Sequence, residues 1–291
     1  MNPPLVLVVL VATPLLLARD APVTRAPLDV PGAVLLTVAP LALIFGIVEA
    51  ARTPLWSVSV LGPLLLAAAA FGAFVLVEAR SRHPLVPLSF FAHRTRLTAN
   101  AATVLLSAAL STTFFLATFV LQRVLGLGPL QAGLAFLPFC TVLLIAVTQV
   151  APLIRRLGTK HTAIAGLLAT AAGVASLARL PDSARLWIDV VPGMVAVAVG
   201  MAVGLIALQN AALQGVTDAD AGVASGVQRS VDQLGGAVGL TVLVGTAVAS
   251  GTAGGAATAA GIRSAFWFAL VGLLVAAAVV AVVARSNRPR R

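Results

Sequence analysis

The sequence predicts an all-α polytopic membrane protein. Of its 291 residues, 60% are hydrophobic and only 10% are charged, whereas about 25% of the residues in an ordinary soluble domain are charged. The mean hydropathy is +1.06, and several uncharged apolar runs reach the ~20 residues that a helix needs to cross a bilayer. Runs such as 271–283 are apolar on every face, which argues against the alternating strands of a β-barrel.

Apolar stretches and their flanking residues predict nine transmembrane helices. In chain order they are Leu5–Ala18, Val30–Ala50, Trp56–Val77, Leu97–Leu121, Pro129–Ile154, Thr162–Leu180, Leu186–Leu213, Ala221–Ala249 and Ile262–Val283. The first is short and contains Pro14, and most of the others end where cations return to the chain. The seventh ends in Gln209 and Asn210, and the eighth ends before the small-residue loop 251–261.

Arginine and lysine are distributed unequally between alternate gaps of this predicted topology. The gaps on one side, together with the C-terminal tail 285–291, hold 13 of the 19 cations, and the other side holds 5. The remaining cation, Arg229, lies inside a helix. The positive-inside rule therefore places the C-terminus on the cytoplasmic side of the cell membrane. This distribution also favours topology over nucleic-acid binding as the reason for the net charge of +10.

Nine helices and a cytoplasmic C-terminus place the N-terminus outside, although no secretory signal begins the chain. Met1 is followed by Asn2 and two prolines, without a basic segment or a small-residue cleavage site. The sequence therefore predicts that the chain starts inside what is a longer membrane protein in its relatives.

Three stretches together resemble the major facilitator superfamily, and within it the 14-helix drug/proton antiporter branch of multidrug efflux proteins. They are VLGLGPLQAGLAFLP at 124–138, AGVASG at 221–226 with QLGG at 233–236, and RLGTK at 156–160. Weaker agreement continues through DVPG at 29–32, Glu78 and PLVP at 84–87. The resemblance covers almost the whole chain.

The resemblance implies four regions of the chain. Residues 1–18 correspond to the last helix of an N-terminal bundle, 19–96 to two extra linker helices with cytoplasmic loops, 97–284 to a complete C-terminal six-helix transporter bundle, and 285–291 to a basic cytoplasmic tail. The first five helices of the family are then missing, and with them the family's antiporter motif and its acidic proton-coupling residue.

The eighth predicted helix carries a polar and small-residue stripe at helical spacing. Its members are Gly222, Ser225, Gly226, Arg229, Asp232, Gln233 and Gly236. The spacing of Gly222 and Gly226 suits close helix packing. Arg229 and Asp232 are three residues apart and can pair, either as a structural ion pair or as a pair lining a substrate or proton pathway. The family usually has other residues at both positions.

Further polar residues and breaks are candidates for the pathway or for hinges. Gln209, Asn210 and Gln149 can bind substrate or bond between helices. Pro138 removes a backbone hydrogen bond and predicts a kink in the fifth helix. The glycines Gly235 and Gly236 of the QLGG stretch are candidates for packing.

The turn between the fifth and sixth helices contains Arg156, Gly158 and Lys160, which resemble the superfamily's cytoplasmic loop motif. Gly158 supplies backbone freedom, and the cations suit a negatively charged inner surface. Because Arg155 stands where the motif has Asp, topology determination is the better interpretation.

The sequence contains no arrangement of residues typical of an enzyme, a metal site or a cofactor site. The resemblance implies proton-coupled efflux of hydrophobic or cationic small molecules by alternating access, with a lipid bilayer, a small-molecule substrate and a proton as partners, and with antibiotic resistance as the outcome. The alternative is a truncated chain that is incompetent in transport, or a half-transporter that needs the missing N-terminal bundle supplied in trans.

Overall fold

A computed structural model describes residues 3–16, 29–50, 53–81, 84–86, 93–181, 184–217, 220–249 and 259–283. Its α-helices are α1 Pro3–Leu16, α2 Val30–Ala50, α3 Val58–Arg80, α4 Arg94–Phe119, α5 Pro129–Ala135, α6 Leu137–Leu157, α7 Thr159–Leu177, α8 Val191–Ala212, α9 Ala221–Ala249 and α10 Ala259–Val283. A π-helical turn extends α4 over Val120–Val124, and another precedes α8 over Leu186–Val190. The described residues contain no strand, so the predicted all-α class is confirmed.

The nine predicted helices correspond to these elements, with α5 and α6 together forming the predicted fifth. Six described segments are long and apolar enough to cross a membrane. They are Val30–Ala50, Val58–Arg80, Arg94–Val124, Pro129–Leu157, Leu186–Ala212 and Ala260–Val283. The predicted tail 285–291 and the basic gap 19–28 lie outside the described residues.

The core lies where α4, α7, α8 and α10 meet. Leu106 and Leu116 of α4 are fully buried there, together with Leu167 of α7, Leu208 of α8 and Phe266 of α10. Burying a side chain of this size contributes about 1.5–3 kcal/mol relative to water, but in a bilayer the gain comes mainly from close packing. The core is therefore stabilised by complementary packing of side chains, and small residues determine which helices can approach closely.

The α7–α8 pair shows this close approach most clearly. An added Cβ at Gly173 would stand 2.6 Å from the carbonyl oxygen of Gly193, and one at Gly200 would overlap the backbone of Thr170. Gly166 meets Gly204 backbone to backbone in the same seam. Glycine is required here because any larger side chain would separate the two helices.

Around this core, α9 packs along α4, and α6 packs along α8. The α2–α3 hairpin forms a separate pair, with Gly46 against Leu64, and α2 also contacts α9. These contacts leave α6 and the α2–α3 hairpin with only a small fraction of their surface buried.

Contacts at the helix ends define two sides of the molecule. On one side Arg96, at the start of α4, reaches the end of α8, and Lys160, at the start of α7, reaches the end of α10. On the opposite side the Arg179 guanidinium lies 5.8 Å from the ring centre of Trp267. The charge count predicts the same grouping of ends, and the assignment of one side to the cytoplasm stays a prediction.

Candidate functional site

A cleft of about 250 Å³ lies between α4, α6, α8 and α9. Most of its wall is apolar. The apolar lining consists of Leu143, Val147, Met201, Ala202, Leu205 and Ile206, and the polar lining consists of Thr103, Gln209, Gln228, Arg229 and Asp232. A few polar groups in an apolar cleft are typical of small-molecule sites.

Asp232 of α9 is the acidic group of this cleft. Its Oδ1 accepts a hydrogen bond of 2.5 Å from the Ser107 hydroxyl on α4. Its Oδ2 lies 3.4 Å from Nη1 of Arg229, one helical turn earlier. The Asp232 side chain is 23% exposed and that of Arg229 is 71% exposed. The carboxylate is therefore anchored in the wall, while the guanidinium extends into the open part of the cleft.

Gln228 is a buried amide in the same wall. It is 4% exposed, and its Nε2 donates to the Thr103 hydroxyl over 3.1 Å. The Thr103 hydroxyl in turn donates a hydrogen bond to the carbonyl oxygen of Ala99. The Gln228 Oε1 has no hydrogen-bond partner among the described residues. Such an acceptor costs roughly 1–3 kcal/mol when it is left unpaired, and it lies buried behind the cleft surface.

The predicted pathway residues divide into two groups. Arg229, Asp232 and Gln209 line the cleft together. Gln233, Asn210 and Gln149 are exposed and do not belong to its lining. The Asn210 amide donates to the Ile206 carbonyl of its own helix, and the Gln149 amide donates to the neighbouring Thr148 hydroxyl.

The predicted packing glycines also divide. No atom lies within 4 Å of an added Cβ at Gly222 or Gly226, so the close approach expected there is absent among the described residues. A Cβ at Gly235 would stand 2.6 Å from the Val104 Cα, and one at Gly236 would stand 2.6 Å from the Ser111 hydroxyl. Gly239 contacts Ala108 one turn further along. The close backbone approach of α9 to α4 is therefore made by the second half of α9, whereas the first half reaches α4 through the Gln228 and Asp232 side chains.

The break expected at Pro138 lies next to it. The helical run is interrupted at Phe136, so Pro138 is the second residue of α6, where its missing N–H breaks no helical bond. The Phe136 ring lies 6.0 Å from that of Phe114 on α4, and the Phe139 ring lies 4.9 Å from Phe114. These aromatic contacts hold the break against the core.

The predicted loop motif forms a tight turn. Gly158 has a φ of 81°, which a residue with a side chain rarely adopts, and it separates α6 from α7. Lys160 Nζ donates to the Ala281 carbonyl over 2.6 Å. Arg156 is exposed. The motif therefore joins three helix ends on one side.

Three candidate site residues were not predicted from the sequence: Gln228, Thr103 and Ser107. Thr103 and Ser107 are four residues apart and share one face of α4. This spacing was the available signal for a polar face opposite Asp232.

The cleft combines an anchored carboxylate, that of Asp232, with the exposed guanidinium of Arg229 within apolar walls. Such a site suits an amphipathic ligand that carries a donor or a positive charge. The residues that the structure describes contain no cluster of three or more groups able to hold a metal ion.

Comparison with known families gives a match to the Major Facilitator Superfamily model over residues 1–240. Among curated proteins, the lincomycin resistance protein of Streptomyces lincolnensis is 53% identical over 84% of this chain and 50% of its own length. The tetracenomycin C resistance and export protein of Streptomyces glaucescens is 31% identical over 83% of this chain and 45% of its own length. The puromycin resistance protein of Streptomyces alboniger is 33% identical over 78% of this chain and 46% of its own length.

The chain thus spans about half the length of the curated relatives it matches. Among solved structures, the nucleoside transporter NupG (D323A mutant) superposes with a TM-score of 0.55 at 14% identity. The match covers 88% of this chain and 83% of that one. A likeness at this identity supports the transporter fold.

Proposed function

The chain belongs to the major facilitator superfamily, and on that premise we propose that it forms the C-terminal part of an exporter of hydrophobic or cationic small molecules. It is an integral membrane protein and sits in the lipid bilayer. Transporters of this kind bind substrate near the bilayer midplane and rock one bundle against another. The cleft then forms one wall of the substrate path.

One observation carries this proposal: a polar face on α9 opens into an apolar cleft beside the packed core. Arg229 and Asp232 would cost roughly 2.5–3.5 kcal/mol each at membrane depth if they were unpaired, so their placement at the cleft supports a functional role. The relatives include a lincomycin resistance protein and a tetracenomycin C resistance and export protein, which supports an antibiotic as the compound class.

We further propose that export is coupled to a proton that binds at Asp232. Asp232 is the carboxylate of the cleft and has a donor, Ser107, and a cation, Arg229, at its two oxygens. Its protonation would release Arg229, so that a proton and a cationic substrate would compete for the same carboxylate. We also propose that the C-terminus is cytoplasmic, because the side to which it is assigned carries most of the cations.

The second candidate function is a half-transporter that depends on another bundle. The half-length coverage of the relatives favours it, because rocking needs two bodies. In this alternative the chain alone binds its ligand and moves nothing.

Expression in an efflux-deficient host separates these candidates. The chain would be produced alone, fused to the part of the S. lincolnensis relative that it does not match, and co-produced with that part as a separate chain. We expect the fusion to lower the accumulation of lincomycin. Export by the chain alone would rule out dependence on a partner.

Membrane abundance of each form, measured on immunoblots, serves as the control. A fusion that is abundant in the membrane but leaves lincomycin and puromycin accumulation unchanged would contradict the export proposal. Export by the co-produced halves, with none by either half alone, would assign the half-transporter function.

A further inference from the structure

Two acidic residues meet outside the cleft, where the start of α2 lies beside the end of α3. Asp29 precedes α2, and its Oδ1 accepts a hydrogen bond of 2.9 Å from the Gly32 N–H. Glu78, near the end of α3, is 3% exposed, and its Oε2 accepts a hydrogen bond of 3.1 Å from the Val86 N–H. One oxygen of each carboxyl group is therefore satisfied by backbone.

The other oxygen of each group is buried without a partner among the described residues. Asp29 Oδ2 and Glu78 Oε1 each lie 2.8 Å from the point where a Cβ on Gly32 would stand. The two oxygens are therefore no farther apart than twice that distance, and Gly32 leaves the space between them open. Both unpaired oxygens point into one small buried site.

Two ionised carboxylates in such a site would repel each other and leave two buried acceptors unpaired. A single proton removes both penalties, because a protonated carboxyl becomes a donor to the other group. We propose that Asp29 and Glu78 bind one proton between them at neutral pH, as a carboxyl–carboxylate pair.

The surroundings decide which group carries the proton. Asp29 caps the N-terminus of α2, and the helix dipole and the Gly32 N–H both stabilise its ionised form. Glu78 is almost fully buried, so its charged form is the more costly of the two. The Glu78 Oε1–H therefore donates to Asp29 Oδ2.

Within the part of the chain that the structure describes, other charged groups on the packed elements lie elsewhere. Arg80 of α3 is exposed, and Glu49 is at the opposite end of α2. On α9, which α2 contacts, Arg229 and Asp232 line the cleft. Among the described residues, Asp29 is the charged group that lies beside Glu78. This inference stands apart from the proposed export function, since the site lies in the α2–α3 hairpin.

Infrared spectroscopy of the full chain in lipid nanodiscs tests the shared proton. We expect a C=O band of a protonated carboxylic acid at neutral pH, shifted in D₂O and lost at high pH. Glu78→Gln should abolish this band, because its amide has no acid proton yet can still donate to Asp29. Asp29→Asn should shift the band, since the acceptor changes from a carboxylate to an amide oxygen.

Glu49→Gln is the matched control and should leave the band in place. Absence of the band in the unsubstituted chain, or its survival in Glu78→Gln, would overturn the proposal. A C=O band that is unchanged in Asp29→Asn would show that Glu78 is protonated without Asp29, and would contradict a proton shared between the two groups. Loss of the band when K⁺ is replaced by Na⁺ at constant pH would assign the site to a metal cation instead.

Discussion

At the scale of single residues, Asp232 is distinguished by having different partners at its two oxygens. Ser107 fixes Oδ1 from a neighbouring helix, whereas Arg229 contacts Oδ2 from the same helix and remains 71% exposed. The first contact is structural and the second faces the cleft. Replacing the carboxylate by an amide therefore separates charge from packing.

We expect Asp232→Asn, in the exporter fusion, to lower export up to about fivefold while membrane abundance is unchanged, because an exposed ion pair with Arg229 of up to about 1 kcal/mol is lost and the Ser107 bond is kept. Drug accumulation and immunoblotting of the same cells provide the measurement. Asp220→Asn, at an exposed carboxylate bonded to Thr217, is the matched control. Export equal to that of the unsubstituted fusion would exclude Asp232 from the pathway.

Two cations of the basic side also hold helix ends. Arg96 is 7% exposed; its Nε donates to the Ala212 carbonyl over 3.1 Å and its Nη2 donates to the Gln214 carbonyl over 3.4 Å. Lys160 does the same for α10 at Ala281. Cations complement the partial negative charge at helix C-termini, so residues that a charge count assigns to topology also join helices.

Arg96→Met should destabilise the chain by about 1.5–3 kcal/mol, since charged hydrogen bonds are lost and two carbonyls are left with fewer donors. Thermal unfolding of the purified protein in detergent measures the change. Arg94→Met removes an exposed cation two residues earlier and should have a much smaller effect. Equal loss in both variants would attribute the effect to net charge.

At the scale of elements, the α7–α8 seam shows how glycine positions organise the bundle. Gly200 faces the backbone of Thr170, whereas Gly226 on α9 faces open space. Both residues lie inside helices, so alanine has the same intrinsic effect on helix formation at both positions. Only the seam adds a steric cost.

Gly200→Ala should therefore lower stability by about 1–3 kcal/mol or more, the usual cost of overpacking, and reduce membrane abundance. Gly226→Ala should be neutral or slightly stabilising because alanine favours helix. Unfolding in detergent and abundance on immunoblots report both effects. A neutral Gly200→Ala would contradict the close seam.

Helix positions were largely predictable because length and hydropathy act locally. The bounds Val30–Ala50 agree fully, and α3 begins at Val58 rather than Trp56 because Ser57 is extended. The rotation of each helix was not predictable. Gly222 and Gly226 face open space although their spacing suits packing, because rotation depends on which neighbour packs first.

The candidate site was predictable only in part, on α9 and at Gln209 of α8. The stripe on α9 contains Arg229 and Asp232, but Gln228 points about 100° away and was missed. Ser107 and Thr103 were missed because hydroxyls in apolar helices usually bond to their own backbone, as Thr103 does with Ala99. Their second role, toward α9, exists only after the helices pack.

At the scale of the whole molecule, the contacts between helix ends divide these ends into two groups, one on each side of the molecule. Arg96 and Lys160 lie on the basic side, and Arg179 beside Trp267 lies on the other. The positive-inside rule assigns the basic side to the cytoplasm. This assignment predicts the accessibility of every exposed end residue.

Single-cysteine labelling tests it, because Cys140 is the only cysteine and Cys140→Ser gives a blank background. In that background, Gln122→Cys should react with an impermeant maleimide in intact cells, and His161→Cys should react only after permeabilisation. Both positions are exposed and leave every cation in place. The reverse pattern would invert the topology.

Helix α6 lies at the edge of the bundle, with little of its surface buried, and this position affects how substrate specificity can change. Leu143 and Val147 of α6 form part of the cleft wall, yet its span is only 17% buried, against 61% for the span containing α4. Substitutions on α6 can therefore widen or narrow the cleft at little expense to folding. A lineage under drug selection would explore new compounds through α6 first, while Thr103 and Ser107 on α4 would stay constrained.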